Sequence, residues 1–239
     1  MITLHGPRSF PTVTLLRNML REVPEQGTFT MGGTKVLATA QLEAFEAAGL
    51  NVPQWTRDRR VAISWIHSRL VVLGRKENHT QGRDIEIGNG IPLKKQWLTR
   101  DWWCKFVPST GEWRIHVFDG RTIARAKKEP GPGSPGMTQV PIRSRRNGWL
   151  YRHDLEPSEA LRNAARGAVA ALGYPYGAVD LLETPTGPVV LEVNRLPAMD
   201  NYTATAYVNA IRRHVAGRKV AKLPTARRTN DLYEGVLVV

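Results

Sequence analysis

Sulfur, acidic side chains and long apolar runs are what this sequence has least of. One cysteine, Cys104, stands in 239 residues, which excludes an internal disulfide and a zinc site built from several thiolates. That usage fits a reducing compartment, and a cytoplasmic location is expected. No run of about 18 apolar residues occurs, so neither a membrane-spanning helix nor a membrane partner is expected. The opening segment MITLHGPRSFPTVTLL has no apolar core behind positive charges and gives no sign of a secretory signal. Acids number 21 against 34 lysines and arginines, for a net charge of +13. Such an excess predicts anionic partners: ATP, phosphorylated intermediates or nucleic acid. The basic residues are spread along the chain, densest near 57–60, 143–146 and 212–228. At 41% hydrophobic and 23% charged residues the composition is that of a folded chain. The length suits one large domain or two small lobes.

The most informative stretch is GAVDLLETPTGPVVLEVNRLP, residues 177–197. It predicts two short strands, 178–182 and 189–194, around a TPTGP turn. Centring the turn on Thr186 places Asp180 opposite Glu192 and Leu182 opposite Val190. Side chains alternate along a strand, so Glu192 and Asn194 share one face, while Val189, Leu191 and Val193 share the other. Opposed carboxylates sit about 5 Å apart at Cβ and repel. Two carboxylates and an amide oxygen on one patch make chemical sense around a hard cation, and few oxygen ligands point to Mg²⁺ completed by phosphates. A solvated polar face on an exposed hairpin gives the same alternation.

Asp180, then Glu192 and Asn194, then Pro197 resemble the metal-binding end of ATP-grasp ligases, with the peptide-type ligases the nearest likeness. The resemblance implies that Asp180, Glu192 and Asn194 hold one or two Mg²⁺ ions bridging the ATP phosphates. It extends over most of the chain, from about residue 35 to 214. KVLATAQLEAFEAAGLNVPQW at 35–55 resembles the family's opening helix, which implies a phosphate contact from Lys35. Thr34 is expected to cap that helix, over 35–48, with Gly49 ending it. Residues 75–87 resemble the family's strand–loop–strand over the phosphates, implying contacts from Arg75 and from Thr80, Gln81 and Gly82 at the tip. Arg75 stands where the family has lysine. The apolar run 102–107 resembles the strand leading to the adenine hinge, so that Lys105, Phe106 and Val107 would meet the base through their backbone.

Residues 112–118, EWRIHVF, alternate strictly, and Asp119-Gly120 is a hairpin-turn signal. By resemblance, Arg114 and Lys128, with Lys127 near, face the place where an acyl phosphate forms, and Glu112 would hold the nucleoside. Cations are needed there to stabilise the transferring phosphoryl group; cross-strand surface ion pairs would look the same. Arg195 would hold a carboxylate substrate or make a structural ion pair. Further helices are expected at 12–21, 58–67, 157–172 and 203–214, with Pro157 at the first helical position and Gly173 past the end of its helix. A flexible EPGPGSPG loop spans 129–136, and Asn147 resembles an asparagine found before the last helix of related ligases.

The implied fold is α+β, an ATP-grasp fold of two lobes with largely antiparallel sheets clasping ATP. Its parts are a reduced N-terminal segment at 1–33, a small lobe at 34–105, a catalytic lobe at 106–216 and a tail at 217–239. The implied reaction joins a carboxylate to an amine through an acyl phosphate, releasing ADP and phosphate. Its size resembles the small phage-borne forms, which leaves the acceptor open among a peptide, an amino acid and a nucleic-acid-linked group. Two other readings stand beside it: an ATP-grasp-like kinase acting on a hydroxyl, and a basic nucleic-acid-binding protein without catalysis.

Overall fold

A computed structural model describes residues 1–7, 9–77, 84–132, 142–143 and 147–217. Two antiparallel sheets dominate. The larger has the order β11-β10-β7-β8-β9, formed by Gly187–Asn194, Tyr176–Thr184, Gly111–Phe118, Arg121–Pro130 and Trp149–Arg152. The smaller has the order β3-β6-β4-β5, formed by Trp55–Thr56, Trp102–Lys105, Val72–Arg75 and Glu86–Gly88. Strand β9 was not foreseen, because WLYR is too short to show a period.

Strict alternation makes β7. Trp113, Ile115 and Val117 point to a core closed by helix α5 (Glu159–Ala171) and helix α2 (Ala38–Ala47), which contribute Leu161, Ala165, Ala168, Leu42 and Phe45. Leu73, Trp102 and Cys104 of the smaller sheet enter the same core, so the two sheets share apolar packing. Asp119 (φ 46°) and Gly120 (φ 68°) both take left-handed backbone, the geometry the β7–β8 turn requires. Helix α5 starts two residues later than Pro157, because Ser158 accepts from the Leu161 N–H and caps it. Likewise α2 begins at Ala38 rather than at residue 35. Thr34 does not cap it; its carbonyl instead accepts from the Tyr174 hydroxyl at 3.0 Å.

The other face of the larger sheet is apolar at one end. There helix α6 (Asn201–Val215) and a β-α-β unit made of β1 (Ile2–His5), α1 (Pro11–Leu20) and β2 (Gly27–Thr30) pack on Phe118, Ile123, Ala124 and Tyr176. Strand β2 lies in a Gly- and Thr-rich stretch that carries no alternating pattern. It pairs with β1 in the only parallel ladder among the described strands, and buries Phe29. Glu25 holds this unit to α6 through a two-bond fork from Arg212, at 2.8 and 2.9 Å. The Thr12 hydroxyl donates to the Pro197 carbonyl at 2.9 Å. Helix α3 (Arg59–His67), capped by Asp58, and the short α4 (Lys95–Leu98) cover the smaller sheet over Ala62, Ile66, Val72, Trp97 and Trp103. Among the described residues no helix is long and apolar enough to cross a membrane.

Candidate functional site

Strands β7 to β11 carry charged positions in rows at the opposite end of that face of the larger sheet. Across one row lie Glu192, Asp180 and Arg114; across the next lie Glu112, Lys128 and Tyr151. Asp180 does face Glu192, as the sequence suggests, but for a different reason. The turn has two residues, so Leu182 pairs with Val189 rather than Val190, and a bulge at the Asp180/Leu181 step restores the register beyond it. The bulge also shifts the inward phase: Val190 and Val193 reach the core, whereas Leu191 does not.

Arg114 grips Asp180 with a two-bond fork, Nε to Oδ1 at 2.8 Å and Nη2 to Oδ2 at 2.8 Å. Lys128 Nζ lies 3.6 Å from Asp180 Oδ1 and donates to Glu112 Oε1. Arg143 Nη1 stands 3.8 Å from Glu112 Oε2. The Tyr151 ring lies under both cations, at 5.5 Å from Arg114 and 5.7 Å from Lys128. Burial alone would push the Asp180 carboxyl up, but Arg114 and Lys128 together hold it below the usual carboxylate range. Burial likewise opposes the charge on Lys128, yet Asp180 and Glu112 raise its pKa above the ordinary value. Asp180 and Lys128 therefore both stay charged at neutral pH.

Glu192 lies at the edge of this group with its side chain 27% exposed, against 7% for Asp180. Its Oε1 accepts from Asn194 Nδ2 at 3.0 Å, and Arg75 Nη2 lies 3.7 Å from its Oε2. Arg75, at the end of β4, rests 4.9 Å over the Trp102 ring. It thus brings the smaller sheet against the carboxylates of the larger one. Among the described residues no group of three or more His, Cys, Asp or Glu gathers as a metal site. The donor set is Glu192, the Asn194 amide oxygen and Asp180. These are hard oxygen donors and suit Mg²⁺. Oδ2 of Asp180 keeps a lone pair beyond the one Arg114 uses, whereas Oδ1 also faces Lys128, so Oδ2 is the oxygen with room for an ion.

Other expected residues fall elsewhere. Lys127 points to the opposite face, 5.7 Å over Trp113, because β8 alternates and Lys128 takes the site side. Glu112 is buried between Lys128 and Arg143, so its carboxylate is committed to those cations rather than to a nucleoside. The Lys105 and Phe106 N–H groups already donate to the Gln54 and Val71 carbonyls, at 2.9 and 2.8 Å. Those two N–H groups are therefore not available to a base. Lys35 is exposed in the segment between β2 and α2. Arg195 lies not with Arg114 but against Gly32. Thr80, Gln81 and Gly82 fall outside the described residues. Asn147 donates to the Ile142 carbonyl at 2.8 Å. Sequence reasoning missed Arg143 and Tyr151 as parts of the cluster: the first stood in a basic run and the second in the unforeseen β9.

No family model matches the chain, and no curated protein matches it in sequence. Solved structures do match in fold. One is a RiPP-associated ATP-grasp ligase from Chryseobacterium gregarium in complex with ADP and a leader and core peptide, at 16% identity and TM-score 0.59, covering 90% of this chain and 69% of that one. Another is the ATP-grasp ligase PsnB complexed with a precursor peptide and AMPPNP, at 14% identity and TM-score 0.55, covering 86% of this chain. A third is D-alanine–D-alanine ligase from Bacillus anthracis, at 12% identity and TM-score 0.56, covering 83% of this chain and 86% of that one. The present chain spans 65% of the length of PsnB. The fold defined by these sheets is the α+β ATP-grasp fold, the one the motifs implied.

Proposed function

We propose that this chain is an ATP-dependent ligase that joins a carboxylate to an amine, with a peptide or amino acid as substrate. The observation that carries the reading is the cluster of Arg114, Lys128, Asp180 and Glu192 at one end of an ATP-grasp sheet, with Arg75 of the other sheet 3.7 Å from Glu192. In this reaction a carboxylate oxygen attacks the γ-phosphorus of ATP and ADP leaves. The amine then attacks the acyl carbon, loses a proton and expels phosphate. Negative charge grows on the phosphoryl oxygens and then on the tetrahedral carbon's oxygen. Arg114 and Lys128 are fixed cations at that place. Asp180, Glu112 and the Tyr151 ring hold them in position before substrate arrives, so little reorganisation is left for the reaction step. Mg²⁺ held by Asp180, Glu192 and Asn194 would neutralise the phosphates during transfer. Arg75, stacked on Trp102, is placed to take a phosphate oxygen in exchange for Glu192. The peptide class is supported by the fold neighbours that carry precursor peptides.

Thermal melts with and without Mg²⁺–ATP test the nucleotide site. Wild type is expected to be stabilised, by about 2.7 kcal/mol at a hundredfold excess over Kd, and Glu192→Gln is not. A panel of amino acids and peptides read for ADP release then tests the reaction. Release that requires both a carboxylate and an amine supports the ligase; release with a hydroxyl acceptor alone overturns it.

A further inference from the structure

Away from the charged cluster, a phenol and a guanidinium meet at the segment after β2, with no protein acceptor for either among the described residues. The Gly32 N–H donates to the Tyr176 hydroxyl at 2.6 Å. That bond uses the phenol as acceptor, and among the described residues no acceptor receives the phenolic proton. The Arg195 guanidinium lies against the same glycine: a Cβ on Gly32 would stand 3.3 Å from its Nη1. Its charge acts on the Tyr176 hydroxyl, holding back the rise that burial imposes on the phenol. Among the described residues Arg195, half-buried, has neither a hydrogen-bond acceptor nor an acidic partner. Arg195 is half-buried and its N–H groups still reach water, so an anionic acceptor seated here would replace that water with charge-assisted bonds from the guanidinium, with the phenol beside it.

The backbone around them is also suited to close approach. Gly32 and Gly33 both have positive φ, 109° and 118°, and a Cβ at Gly33 would meet nothing within 4 Å. The following residues are pinned, the Tyr174 hydroxyl donating to the Thr34 carbonyl at 3.0 Å and accepting from the Val36 N–H at 3.3 Å. One guanidinium and one phenol carry a single positive charge, which matches one carboxylate. The planar fork of arginine suits its two oxygens. Tyr176 lies four residues from Asp180 along β10, about 13 Å at roughly 3.3 Å per residue. A carboxylate seated here is therefore not the one that meets phosphate beside Asp180.

We propose that Arg195, the Tyr176 hydroxyl and the Gly32–Gly33 backbone form an anchoring subsite for a second, unreacting carboxylate of the substrate, as in a peptide or a dicarboxylic amino acid. The binding claim stands on these residues alone; only the words "unreacting" and "substrate" rest on the ligase reading.

The test uses the full ¹⁵N-labelled chain and follows the Gly32 and Gly33 amide and Arg195 Nε resonances. N-acetylglycine is expected to shift all three at millimolar concentration, and its neutral isostere N-acetylglycinamide to leave them in place. Arg195→Ala is expected to weaken N-acetylglycine binding at least tenfold and Tyr176→Phe several-fold. Arg195→Lys, which keeps the charge and loses the fork, should fall between Arg195→Ala and wild type. An equal response to the amide, no response at all, undiminished binding by Arg195→Ala, or tighter binding of inorganic phosphate would each overturn the proposal. Wild type melted with Mg²⁺–ATP is a separate measurement. If it is not stabilised while N-acetylglycine still binds, the ligase reading fails and the carboxylate subsite stands.

Discussion

One face of the larger sheet holds two chemistries. At one end Phe118, Ile123 and Tyr176 lie under α6 and the β-α-β unit, with the Phe118 and Tyr176 rings 5.8 Å apart. At the other end, on the same strands and with the same alternation, Arg114, Asp180, Lys128 and Glu112 form a chain of ion pairs. His116 marks the border. It sits two residues from Arg114, fully buried, with Nδ1 3.3 Å from the Tyr207 hydroxyl. Burial, helped by the nearby Arg114 charge, pushes its pKa down to about 3. Charge is retained where partners surround it and suppressed where aromatic rings do. Alternation thus decides which way a residue points, and the cover above it decides what that residue must be.

The contrast can be broken from the apolar end first. Phe118→Ala removes a ring in contact with Phe29, Tyr176 and Tyr207, and should destabilise the fold by about 3–5 kcal/mol in chemical denaturation. At the charged end, Arg114→Ala leaves Asp180 buried with Lys128 as its remaining nearby cation, at a cost of roughly 3 kcal/mol. Adding Asp180→Leu should recover much of that loss, because no buried carboxylate remains; if the double variant is no more stable than the single one, the pair is not the reason for the charge. The border residue shows itself only through pH. A histidine whose folded pKa lies below its unfolded value of about 6.5 lets the unfolded chain bind the extra proton. Stability should therefore fall as pH drops from about 6.5 toward 3. His116→Gln should flatten the slope over that window, measured as the urea midpoint against pH.

Much of this was legible in the sequence because it rests on local pattern. EWRIHVF and its Asp-Gly turn define β7 and the start of β8, and Asp58 and Gly173 mark helix ends where they were expected. The sites fared unevenly. Asp180 and Glu192 meet, yet the reflection about Thr186 that paired them also paired Leu182 wrongly, since a bulge has no signature in this stretch. Lys127 was misplaced because two adjacent lysines cannot share a face, and spacing alone does not say which one turns inward. Glu112 was assigned to a ligand because its buried partners, Lys128 and Arg143, are 16 and 31 residues away along the chain. Strand β2 escaped notice because its only buried side chain is Phe29 and the cover on it comes from a distant helix.

The extra residue in β11 has a bearing on how this hairpin tolerates change. Shortening or lengthening the connection at Pro185 and Thr186 alters a solvent-facing tip whose ladder ends at Thr184 and Gly187. Deleting one residue between Val190 and Glu192, by contrast, would carry Asn194 and everything after it half a pleat out of step. Length is thus negotiable at the tip and fixed at its middle, and a grafted tip should leave the carboxylate pair where it stands.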